Sequence, residues 1–207
     1  MNSANNEVEP SLAVFDGFPD QDRNEIARMY WAAFGPKLGV AIGPPDKAIA
    51  LLSELLNPAS SIVARGRDGE LLGVAGYKTP MGAFFSIDFK VLRRHFGFVG
   101  AVWRGAILSL LMRKPQAGTL LMDGIFVTER ARGQGVGTFL LNAIKQKARA
   151  HGCSSVRLDV IDTNPRARQL YEREGFRAVA VRKLGPFRHI FGFGSATTMI
   201  ARSDQGS

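Results

Sequence analysis

The chain has one cysteine, Cys153, among 207 residues. That excludes an internal disulfide and any zinc site built on several thiolates, and it suits a reducing compartment. No apolar stretch reaches about 18 residues before charge or glycine breaks it, so no transmembrane helix is expected. The opening MNSANNEVEP has neither a basic segment nor an apolar one, and no signal peptide is read there, which points to the cytoplasm. Acidic groups are scarce after the first third. Residues 1–80 carry 7 basic and 10 acidic side chains, residues 81–118 carry 6 and 1, and residues 119–207 carry 14 and 7. The resulting +9 attracts anions, whether nucleic acid, a membrane surface or a phosphorylated cosubstrate. With 45% hydrophobic and 22% charged residues, disorder and collagen-like structure are excluded.

The order of elements follows from pattern and punctuation. Residues 1–10 read as a flexible tail, and Leu12–Phe15 as a short strand. Apolar residues at helical spacing (Ile26, Met29, Tyr30, Ala33) predict a helix from Asp20 to Phe34, with Asp20 as N-cap and Gly35-Pro36 as its stop. Pro44-Pro45-Asp46 opens a second helix over 47–56. A hairpin follows, 61–65 with 71–77, turning at Asp68-Gly69. Strand character returns at Thr119–Val127, then a glycine-rich turn, a helix to Ala150 and a strand at Val156–Ile161. A short helix from Asn164-Pro165 ends near Glu174, and two strands fit 177–184 and 196–201. This is an α/β chain with a mixed central sheet flanked by helices. It reads as one domain over 11–201, with a helical insertion at 81–118 between the third and fourth strands and a tail at 202–207.

The segment that carries chemistry runs from Asp123 to Gly137, DGIFVTERARGQGVG. Glycines at 133, 135 and 137 lie between a strand and a helix. Glycine permits positive φ and close approach of a ligand. Unbonded N–H groups at a helix start favour an anion such as pyrophosphate, and Arg130 and Arg132 add charge. The spacing is not that of the nucleotide-triphosphate phosphate loop, which needs Gly-Lys-Ser/Thr, nor that of the dinucleotide fingerprint. Val136, Leu140, Ile144 and Ala148 give the following helix one apolar face.

Arg132-Gly-Gln-Gly-Val-Gly137 resembles the Arg/Gln-x-x-Gly-x-Gly/Ala signature of the GNAT superfamily of N-acetyltransferases. Asn164-Pro-Arg-Ala-Arg-Gln-Leu-Tyr171-Glu-Arg-Glu-Gly175-Phe176 is similar to its second signature. The resemblance implies that acetyl-CoA sits in a V between two parallel strands, 119–127 and 156–161. Ile125, Phe126 and Val127 would then offer main-chain bonds to pantetheine. The N–H groups of Arg132, Gly133, Gln134, Gly135, Val136 and Gly137 would hold pyrophosphate. Asn164 would either meet pantetheine or simply cap its helix. Tyr171 is the implied general acid toward the CoA thiolate, or else a packed helical tyrosine. Asp123, on the strand facing the acceptor, is the candidate base; the competing reading is an ion pair with an arginine. His95 and His189 are weaker bases, and Cys153 is packing. No metal is expected.

The implied activity is acetyl transfer to a primary amine, of a small molecule or, alternatively, of a protein N-terminus or lysine. A non-catalytic CoA-binding module is the reading from another class. No nucleic-acid motif is present. The insertion, FGFVGAVWRGAILSLLM over 96–112 with basic flanks, reads as a lid on the acceptor pocket, an apolar homodimer surface, an interfacial membrane helix, or an enlargement of the core. The lid is preferred, because the segment leads into the strand beneath the acceptor.

Overall fold

A computed structural model describes residues 12–185 and 188–204. The expected tail at 1–10 lies outside the described residues. Among the described residues eight strands form one sheet: β1 (Ala13–Asp16), β2 (Ser61–Arg65), β3 (Leu71–Thr79), β4 (Gly82–Ala83), β5 (Thr119–Val127), β6 (Ser155–Ile161), β7 (Arg177–Lys183) and β8 (Ser195–Arg202). Their order is β1-β2-β3-β5-β6-β8-β7, with β4 folded back on β3. Every pairing is antiparallel except β5 with β6.

Helices cover both faces. On one lie α1 (Arg23–Ile42), α2 (Pro45–Leu55) and α3 (Phe89–Leu111). Their buried residues Ile26, Leu52, Leu92 and Leu108 form a core with Phe84 and Phe126. On the other face α4 (Val136–Ala150) and α5 (Pro165–Arg173) pack over a second core. Val136, Leu140, Ile144 and Ala148 are all buried there, the face that the 3.6-residue period assigns to the sheet. α6 (Arg188–Phe191), a single turn, has no counterpart in the sequence reading.

Four local expectations are corrected. α1 does not stop at Gly35-Pro36; it runs to Ile42 and ends at Gly43, whose φ is 89°. An interior proline costs about 3 kcal/mol. Leu38 and Ile42, both buried, offset it at roughly 1.5–3 kcal/mol each. Asp20 makes no cap; its carboxylate accepts from Arg23 in the turn before the helix. The insertion begins with β4, so the strand after it is the fifth. At the far end β8 reaches Arg202, and Ser203 is buried with its hydroxyl donating to the Cys153 carbonyl at 2.8 Å, so the last strand and its packing extend past the expected end at 201.

The insertion is chiefly α3. Asp88 caps it by accepting from the N–H groups of Lys90 (2.7 Å) and Val91 (3.3 Å). Gly97, at φ 68° and ψ 179°, breaks its helical path. Leu92, Ala101 and Leu108 face inward, while Phe89, Phe98, Val99, Val102 and Trp103 face solvent. The segment therefore enlarges the first core. Among the described residues no helix is long and apolar enough to cross a membrane.

Candidate functional site

The parallel pairing of β5 with β6 covers only Thr119–Leu121 against Ser155–Arg157. Past that point β5 stays on β3 and β6 stays on β8, so the two strands part. Which groups face the gap follows from the ladder. The Thr128 N–H donates to the Leu72 carbonyl at 2.8 Å, toward β3. Main-chain groups alternate sides along a strand. Phe126 therefore turns its N–H and C=O to β3 as well, while Ile125 and Val127 turn theirs toward β6. The expected main-chain trio reduces to Ile125 and Val127. Phe126 instead buries its ring edge-on to Tyr30 and Phe34.

At the end of β5 the chain passes through a 3-10 turn into α4. Gly133 and Gly135 have φ of 82° and 77°, and a Cβ at either would meet nothing within 4 Å. Their requirement is conformational. Gly137 differs: a Cβ there would stand 3.0 Å from Leu170 Cδ2, so this glycine lets α5 pack on the start of α4. The first bond of α4 runs from the Phe139 N–H to the Gly135 carbonyl, which leaves the N–H groups of Val136, Gly137 and Thr138 with no partner inside the helix. Thr138 was missed, although the helix start implies it. The Arg132 and Gln134 N–H groups are withdrawn from the expected set, because each donates within the turn, to Glu129 and Ala131. The Arg132 side chain pairs with Glu129 at 3.4 Å, and Gln134 donates to the Arg130 carbonyl at 2.8 Å.

Asn164 caps α5, its Oδ1 accepting from the Ala167 N–H at 3.1 Å, and its side chain remains exposed. Tyr171, 6% exposed, packs on Phe176 with ring centroids 5.9 Å apart. Burial pushes its phenol pKa up, so the hydroxyl keeps its proton.

Asp123 sits at a bulge. Gly76 pairs with Gly124 and Tyr77 with Met122, so Asp123 has no partner on β3. Bulges re-aim side chains, and this one turns the carboxylate into the first core. Its ion partner is Lys78, at 3.8 Å, not an arginine. Burial raises the Asp123 pKa, opposed by Lys78 and by the Phe85 N–H. Oδ1 faces Lys78, while the buried Oδ2 has no hydrogen-bond partner. Tyr30, buried on α1, has its pKa raised by burial and by the Asp123 charge.

These groups line a cavity of about 160 Å³ whose walls include Tyr30, Leu38, Phe85, Asp123 and Asp159, and on the α3 side Leu108, Met112 and Arg113. The insertion thus forms one wall. Lys78, Arg113 and Asp159 were not singled out from the sequence. The signal for Asp159 was present: β6 alternates buried Val156, Leu158 and Val160 with Arg157 and Asp159, two charges on a face that a helix covers. His95 is far from this cavity in role, bound to Glu54 at 2.8 Å. The side chain of His189 lies outside the described residues. Cys153 is partly buried against the second core, its thiol donating weakly to the His151 carbonyl at 3.8 Å. Among the described residues no cluster of His, Cys, Asp or Glu is arranged to hold a metal.

Comparison with known proteins bears on the family and the fold. The profile of the Acetyltransferase (GNAT) family matches residues 23–176. An acetyltransferase of Agrobacterium fabrum is 39% identical over 69 residues, 33% of this chain and 47% of its own length. A thialysine N-epsilon-acetyltransferase of Bos taurus is 38% identical over 56 residues, 27% of this chain and 33% of its own. The chain thus spans less than half the length of these curated relatives. Among solved structures, an acetyltransferase superposes with a TM-score of 0.62 at 21% identity, covering 93% of this chain and all of that one. A GCN5-related N-acetyltransferase from Kribbella flavida gives 0.57 at 20%, covering 92% and 97%. At such identities these likenesses establish the fold.

Proposed function

Since the chain belongs to the GNAT family of acetyltransferases, we infer that it transfers an acetyl group from acetyl-CoA to a primary amine of a small molecule. The parting of β5 from β6 directly before a helix start with unbonded N–H groups carries this reading. The gap leaves the main chain of Ile125 and Val127 for an extended amide-bearing arm, and Asn164, which caps the helix after β6, is the side chain we assign to the other side of that arm. The N–H groups of Val136, Gly137 and Thr138, with those of Gly133 and Gly135, suit a pyrophosphate.

Acetyl-CoA supplies an activated thioester. Asp123 accepts the proton that the amine gives up as its nitrogen bonds to the acetyl carbon, and a carboxylate with a raised pKa is the better base for that task. Tyr171 donates a proton to the departing sulfur. Burial keeps its hydroxyl protonated and makes it a weaker acid, which supports a hydrogen bond to the developing thiolate ahead of the proton. The partly apolar cavity of about 160 Å³ supports a small acceptor over a protein segment. The wall formed by Leu108, Met112 and Arg113 supports the lid reading of the insertion. The deciding experiment is acetyl-CoA turnover with an amine panel, following CoA thiol release and identifying the acetylated product by mass. Tight acetyl-CoA binding without turnover of any amine would favour the non-catalytic module.

A further inference from the structure

The acceptor face holds more positive than negative charge. Val156, Leu158 and Val160 point to α4, so Arg157 and Asp159 lie on the face of α1 and α3. Asp159 Oδ2 accepts from Arg113 Nε at 2.9 Å, and Oδ1 accepts from the Thr198 hydroxyl at 2.7 Å. The Arg157 guanidinium is 3.8 Å from the same carboxylate. Arg182, across β8 on β7, feels both Arg113 and Asp159; burial and the Arg113 charge lower its pKa, and Asp159 raises it. Lys78 sits 3.8 Å from Asp123 and 3.4 Å from the Arg113 carbonyl. Lys78 and Arg113 line the cavity with Asp123 and Asp159, and Arg157 and Arg182 lie behind them, so four cations stand around two carboxylates.

Two atoms of this group are buried without a partner: Asp123 Oδ2, an acceptor, and Arg157 Nε, a donor. Leaving such groups unmet is costly. An amine without an anion meets Asp123 alone. A molecule with both an amino group and a carboxylate also offers an anion to Lys78 and Arg113, the two cations that line the cavity, with Arg157 behind them beside Asp159. We propose that the acceptor is a zwitterionic amine of amino-acid type, its amino group directed to Asp123 and its carboxylate taken by the guanidinium cluster around Asp159. The apolar walls at Leu38, Phe85, Leu108 and Met112 suit an apolar side chain. This inference rests on the acetyl-transfer reading above.

The test compares apolar amino acids from alanine to phenylalanine, each against its amide and its decarboxylated amine, with acetyl-CoA present for turnover and with CoA-loaded protein for binding. Turnover is read by thiol release and binding by calorimetry, with rates corrected to the neutral-amine fraction. The expected result is a preference for the carboxylate-bearing member of about 10- to 100-fold, the range of one charge-assisted hydrogen bond. Arg182→Gln, on an exposed strand, and Arg113→Gln should each shrink that ratio toward one without changing acetyl-CoA affinity. Equal or weaker turnover and binding of the amino acids would overturn the proposal and leave acetyl transfer standing. If no amine turns over, acetyl transfer to amines fails, and the calorimetric ranking still decides the carboxylate preference.

Discussion

Replacing Asp123 with Asn keeps the side-chain volume at the bulge and removes its charge. The chemical effect should be large, because a positioned base contributes typically 10²–10⁴-fold. The stability effect should be small, for a reason visible in the geometry. At 3.8 Å from Lys78 the ionised carboxylate gains about 4 kcal/mol at an effective dielectric of 20. Yet its pKa is raised, so burial outweighs that gain and the fold holds the charged form at a net cost. Asn removes that cost while leaving Lys78 without its carboxylate, and the two changes oppose each other. A shift in Tm of a few degrees is expected, with kcat down at least 100-fold. The pH dependence follows with a definite sign. A base must be deprotonated, so wild-type kcat/KM should rise with pH through the Asp123 pKa, above the ordinary carboxylate value of 3.8. A second rise should follow as the acceptor amine loses its proton. Because the folded pKa is raised, the stability that this group contributes is full below its unfolded pKa and is lost as pH rises through the folded one. The Asn variant should lack both the lower kinetic limb and that stability loss. Kinetics from pH 4 to 10 beside thermal melts measures both. A folded Asn variant with wild-type kcat/KM and an unchanged acidic limb would remove Asp123 from proton transfer.

Tyr171→Phe should lower kcat and kcat/KM together by roughly 10²-fold with little change in acetyl-CoA affinity or Tm, because the ring still packs on Phe176; full activity in a folded variant assigns the thiolate's proton elsewhere. Gly135→Val should leave the fold intact, since its Cβ meets open space, but the strain of a β-branched residue at φ 77° should reshape the turn and weaken acetyl-CoA binding at least tenfold by calorimetry. Met112→Ala should raise KM for the acceptor several-fold and spare acetyl-CoA affinity, because Met112 lines the cavity and not the glycine-rich turn.

The elements that punctuation and periodicity define were legible in sequence. β5 runs over Thr119–Val127 as expected, and α4 begins one residue after Gly135 with its apolar stripe buried. What failed was decided by partners distant in the chain. Pro36 ends an isolated helix but not one whose next turn buries Leu38 and Ile42. Asp123 was identifiable as a strand residue. Its pairing with Lys78 was not, because that depends on a bulge between β3 and β5 and on the register it sets. The sequence reading takes Ile125, Phe126 and Val127 together, but alternation against β3 separates Ile125 and Val127 from Phe126, and a sequence does not announce which side of a ladder a residue faces. Arg113 reached the site from the end of an insertion that no signature covers.

The short pairing of β5 with β6 also has a mechanical meaning. Beyond Leu121 the eight strands form two half-sheets that meet at a seam, three residue pairs long and bridged on one face by α4. Each half presents an internal edge, a row of unspent peptide groups of the kind that sheets normally keep at their rims. The amides of Ile125 and Val127 should therefore exchange with solvent faster than those of Gly124 and Phe126 beside them. A molecule bridging the seam would act as a missing strand, tying the halves into one cooperative unit and slowing exchange on both sides at once.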